Sequence, residues 1–174
     1  NILTLNLNRG GRMNEALAAV QEAVTIYRSL AQIDPAAYKP DLAACLHNVA
    51  TCLGDTGHRS AALAAIRETT TIRRELAERD PATHAPALAP CLHRLAKRLA
   101  EAGHRGEALE TAREAVDLYR SLARRRPETF RQGLADTLGT YASVLQWVGK
   151  DSDAARIRQE SEDVTEQMTL KTSV

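Results

Sequence analysis

Residues 81–126 read PATHAPALAPCLHRLAKRLAEAGHRGEALETAREAVDLYRSLARRR, and residues 35–80 read PAAYKPDLAACLHNVATCLGDTGHRSAALAAIRETTTIRRELAERD. Laid one over the other, they keep register. Pro35 and Pro81, Leu42 and Leu88, Leu46 and Leu92, Leu53 and Leu99, Gly57 and Gly103, and Ala62 and Ala108 each stand 46 residues apart. The step runs on to Pro127, Leu134, Leu138, Leu145, Gly149 and Ala154, and back to Leu7, Gly11 and Ala16. So many coincident registers at one period mark a repeat architecture.

One copy resolves into two helices. Leu42, Leu46, Val49 and Leu53 recur at spacings of four, three and four, one apolar stripe on a helix, and Leu88, Leu92, Leu95 and Leu99 repeat it. Gly57 is placed to end this helix in the left-handed conformation. A second amphipathic helix carries Ala62, Leu63, Ile66, Ile72 and Leu76 and stops near Arg79 at Asp80-Pro81. There Asp can cap, and Pro can open, a short helical turn, with Pro40 and Pro86 expected to begin the next long helix. Small residues at Ala50, Ala96 and Ala142, facing Ala62 and Ala108, mark close approach of helix backbones. A larger side chain there costs about 1–3 kcal/mol. A hairpin so short-linked is antiparallel, and it buries both its faces only by stacking on a neighbour.

Composition agrees. Apolar residues make up 44% of the 174, with Ala and Leu dominant and aromatics at 3%, which favours an all-α protein. A net charge of +1 with interspersed signs gives no electrostatic case for nucleic acid or an anionic membrane. Three cysteines without clustered spacing suggest a reducing, cytoplasmic setting with no disulfide framework. No apolar run reaches membrane-spanning length and no secretory signal opens the chain. The excess of Arg over Lys suggests a GC-rich bacterial genome.

The set Leu46, Val49, Ala50, Leu53, Gly57, Ala62, Ile66 and Thr69, echoed by Leu92, Leu95, Ala96, Leu99, Gly103, Ala108, Ala112 and Ala115, resembles the skeleton of the tetratricopeptide repeat family. The resemblance covers essentially the whole chain. It departs in period, 46 residues against the family's usual length of about 34, and in Arg28, Arg74 and Arg120, which stand where the family places a helix-ending Pro. Both departures predict longer helices, as in long-repeat bacterial variants. The resemblance implies a right-handed α-solenoid of antiparallel helix hairpins: a partial repeat over 1–34, full repeats over 35–80 and 81–126, and a last repeat over 127–174 ending in a polar cap helix. Asn1 aligns with the middle of a first helix, so the chain is expected to be a fragment of a larger, multidomain signalling or defence protein.

The same resemblance implies a protein- or peptide-binding scaffold whose concave face is lined by the first helix of each repeat. On that face fall His47, Asn48, Thr51 and Asp55, then His93, Arg94, Lys97 and Glu101, then Thr140, Ser143 and Trp147. Asn48 and Arg94 stand at positions that some members use to grip a peptide carboxylate, but Leu5 and Pro90 occupy the companion positions, which argues against that ligand. The alternative is self-association through the partial first repeat, where Ile2, Leu3 and Leu7 would expose apolar surface to a second copy.

Enzymatic chemistry finds little support. Cys45-Leu46-His47 recurs as Cys91-Leu92-His93, but residues two apart on a helix point about 200° apart, too far to converge on one metal ion. Metalloprotease, phosphate-loop, dinucleotide and nucleophile-elbow motifs are missing from the sequence. His58 and His104 read as solvated turn residues, and Glu160 and Glu162 as solvated helix carboxylates. Arg124-Arg125-Arg126 complements the dipole of a helix end. No metal, cofactor or catalytic residue is expected.

Overall fold

The computed structural model describes the backbone of residues 2–172 and the side chains of residue 15 and residues 17–168. The described residues form helices α1 (Ile2–Ile33), α2 (Pro35–Asp55), α3 (Arg59–Arg79), α4 (Pro81–Glu101), α5 (Arg105–Arg125), α6 (Pro127–Trp147) and α7 (Asp151–Thr172). From α2 onward the helix starts repeat every 46 residues in two interleaved series, so the sequence period is the structural period. The fold is all-α, built of consecutive antiparallel helices.

The chain divides into two compact units, residues 1–81 and 82–174. In the first, α2 packs against both α1 and α3. Leu42, Leu46, Val49 and Leu53 of α2 and Ile66, Ile72 and Leu76 of α3 are buried. In the second, α6 packs against α5 and α7, and Ala89, Val116, Tyr119, Leu138, Leu145, Ala154 and Ile157 from α4, α5, α6 and α7 share one core. The small residues read as contact points are fully enclosed: Ala62, Ala96, Ala108 and Ala142 are all 0% exposed.

Local chemistry sets the boundaries. The Asp34 carboxylate accepts from the Ala36 and Ala37 amides at 3.1 Å each and caps α2, with Pro35 at its first position. Each first helix ends on a glycine with positive φ: Gly57 at 80°, Gly103 at 86° and Gly149 at 78°. The amide of the residue after the glycine then turns back to a carbonyl of the helix's last turn, His58 to Leu53 at 2.8 Å and His104 to Leu99 at 2.9 Å. This is the closure in which a left-handed residue satisfies orphan carbonyls.

Two boundaries differ from the sequence reading. There is no separate short turn after Asp34-Pro35 or at Pro81, and Pro40 and Pro86 lie inside α2 and α4. The amide each proline lacks would have bonded the carbonyl of Ala36 or Ala82. Both of those residues are exposed, so water can take the place of the missing donor, and the proline penalty falls below the ~3 kcal/mol of a buried helix interior. Likewise α1 spans Gly11, where register predicted a turn. Glycine permits a reversal without imposing one. The side chains of Ile2, Leu3, Leu5, Leu7 and Ala16, and that of Asn1, lie outside those described.

Candidate protein-binding face

In the second unit, α4 and α6 are the first helices of successive hairpins, and their candidate residues meet. His93 Nε2 lies 3.0 Å from Thr140 Oγ1. The Thr140 hydroxyl donates to the Asp136 carbonyl at 3.2 Å, and a hydroxyl has one proton. The contact with His93 Nε2 shares that hydroxyl between the two helices. Burial holds the His93 pKa below its usual value, with Lys97 and Arg94 acting in the same sense and Asp136 opposing them. One turn further along each helix stand Lys97 and Ser143, both exposed. The Ser143 hydroxyl is committed to the Gly139 carbonyl at 2.9 Å, so it presents lone pairs. At the far end the Arg105 guanidinium lies 4.5 Å over the Trp147 ring, a cation–π arrangement. Glu101 beside it accepts from Arg98 at 2.8 Å. Arg94 is half-buried.

The first unit contributes its own candidates on α2. His47 and Thr51 are half-buried, with the Thr51 hydroxyl donating to the His47 carbonyl at 3.0 Å, and Asn48 and Asp55 are exposed.

The two Cys-x-His pairs differ in burial at their cysteines. Cys91 is buried, with Sγ 3.3 Å from the Ala87 carbonyl. Burial pushes the Cys45 thiol pKa up, and Asp41 adds to the effect, so its reactive thiolate form is suppressed. Among the described residues no three His, Cys, Asp or Glu side chains converge as metal ligands, and no helix is long and apolar enough to cross a membrane.

One expectation is corrected. Glu160 is not a solvated carboxylate: both its oxygens accept from Arg120, at 2.6 and 2.8 Å, tying α7 to α5. Arg28 binds Glu68 at 2.7 Å in the same way between α1 and α3. These arginines stand where the repeat skeleton would have Pro. Glu22, Glu68, Glu114 and Glu160 keep the 46-residue step as strictly as the leucines do, a signal that reading only the apolar register passes over.

A family model for the tetratricopeptide repeat matches residues 42–82, which run from α2 through α3 to the start of α4. Residues 42–82 carry a tetratricopeptide repeat. Among solved structures, BtubC (BKLC) from P. vanneervenii is similar with a TM-score of 0.62 at 17% identity, over 90% of this chain and 58% of that one. The likeness shows a shared fold, and this chain spans a little over half the length of that protein. A putative kinesin light chain with nearly identical TPR-like repeats, from Podosopora anserina, aligns over 95% of this chain and 93% of its own at 15% identity, TM-score 0.45. MamA aligns over 86% and 91% at 14% identity, TM-score 0.38. No curated protein matches the sequence.

Proposed function

We propose that this tetratricopeptide chain is a non-catalytic scaffold that binds an extended peptide or protein segment on its first-helix faces. The observation that carries the reading is the α4–α6 surface. There the His93–Thr140 hydrogen bond sets two helices side by side, while Lys97 and Ser143 stay exposed next to them. A peptide backbone offers donors and acceptors in alternation. This surface offers the hydroxyls of Thr140 and Ser143, the His93 ring and a donor at Lys97. Helices that hold such groups in place before binding lower the ordering cost of recognition. The tetratricopeptide fold generally mediates protein–protein contact, in keeping with this reading. Probing a peptide array with the full chain, then titrating a selected peptide against R94E/K97E, tests it. Affinity is expected to fall about tenfold or more, as loss of charge-assisted hydrogen bonds does, with an unchanged melting temperature. Binding unaffected by the double reversal would remove the α4–α6 face from the proposal.

A second reading, self-association through α1, is favoured by one observation. Ile26 is 53% exposed and Ile33 82%, the two large hydrophobic side chains left open among the described residues. Two copies could cover them together. Light scattering over a range of concentrations decides this, since a mass fixed at one chain throughout excludes it.

A further inference from the structure

The groove between the second helices α5 and α7, with α6 also lining it, is crossed by the Arg120–Glu160 bridge, and its two halves differ in charge balance. One half, about 680 Å³, is neutralised from within. Arg156 pairs with Asp153 at 3.0 Å, and Asp117 approaches Arg120 at 3.1 Å and Arg113 at 4.0 Å. The other half, about 450 Å³, has Leu134, Val164 and Ala123 among its lining and Arg124 and Arg131 beside them. Neither arginine has an ion-pair or hydrogen-bond partner among the described residues. The one carboxylate lining this half, Glu160, is already taken by Arg120. An apolar surface flanked by two uncommitted guanidinium forks is complementary to carboxylates spaced beside aliphatic side chains.

We propose that this cleft is a second docking site, for an acidic, amphipathic peptide segment of a partner protein. Its carboxylates would engage Arg124 and Arg131, and an aliphatic side chain would cover the partly buried Val164 and Ala123. Free phosphate fits less well, because it would leave the apolar lining in water. A nucleic-acid strand would find no aromatic side chain among the cleft residues for base stacking. Arg124 and Ala123 belong to α5, Val164 to α7, and Arg131 and Leu134 to the opening turns of α6; none of them is a residue of the α4–α6 face, and the site does not rest on that reading.

Fluorescence anisotropy with the full chain and a labelled peptide of alternating Glu and Leu tests the assignment. Saturable binding is expected. It should weaken about tenfold or more in R124E/R131E and in the milder R124Q/R131Q, the size of a lost charge-assisted contact, with circular dichroism unchanged and the melting temperature lowered only by the loss of one helix-end charge. Val164→Ser should weaken it as well, while R94E/K97E leaves it intact. No saturable binding would overturn the proposal. So would an all-Glu peptide binding equally well, displacement by millimolar inorganic phosphate, or equal loss in R94E/K97E, which would move the acidic segment to the first-helix face.

Discussion

At the scale of single residues, two glycines of α6 make opposite demands. A Cβ on Gly133 would sit 2.4 Å from the ring of Tyr119, whereas one on Gly139 would meet nothing within 4 Å. Alanine in a helix interior gains about 0.5–1 kcal/mol over glycine, and Gly139→Ala should show that gain as a raised urea midpoint. At Gly133 the same gain is opposed by overpacking against a ring only 6% exposed, typically about 1–3 kcal/mol. Gly133→Ala should therefore lose stability, and Tyr119→Leu in the same chain should recover much of it. His93 supplies a pH dependence whose sign follows from burial. Its folded pKa is lowered, so below the unfolded value of about 6.5 the unfolded chain binds the extra proton first. Stability then declines as pH falls from there towards the folded pKa. Urea midpoints at pH 8 and pH 5.5 should differ less in His93→Gln than in the parent. An unchanged difference would mean that other groups carry the acid sensitivity.

At the scale of helices, the apolar register was legible because burial demands it of every copy. Leu46, Leu92 and Leu138 are 4%, 0% and 0% exposed. The glycine turns were legible because L-residues with a side chain resist positive φ. Helix starts were misread, since Pro40 and Pro86 look like openings when the sequence does not show that their missing bonds fall on solvated carbonyls. Salt bridges between hairpins were missed because their partners stand 40 residues apart, beyond any local pattern. On the candidate face, residue types could be read but not which hydroxyls turn back on their own helices, as Thr51, Thr140 and Ser143 do. The caps carry a prediction. Asp34 caps α2, but the corresponding Arg126 gives α6 no side-chain cap. Asp34→Ala should cost about 0.5–2 kcal/mol. Arg126→Asp should gain up to about 1 kcal/mol from the new cap, because Arg124 and Arg125 still complement the end of α5. Thermal melts of the two variants should move in opposite directions.

At the scale of the molecule, a repeat chain differs from a globular one in how far damage spreads. Stability in a stacked array is approximately a sum over hairpins and nearest-neighbour interfaces, and here each compact unit encloses its own apolar residues. Leu138→Ala empties a fully buried site in the second unit and should cost about 2–5 kcal/mol. In a single cooperative globule that loss would lower hydrogen-exchange protection equally at every amide that exchanges by global unfolding. In an array the loss belongs to α5, α6 and α7, whose slowest amides should exchange about 30-fold faster or more. Those of α2, which belongs to the other unit, should change far less. The reciprocal substitution Leu46→Ala should reverse the pattern, with α2 and α3 losing protection and α6 and α7 retaining it. Equal loss along the whole chain from either substitution would show one cooperative core. The 46-residue step would then describe the packing of the molecule without describing its energetics.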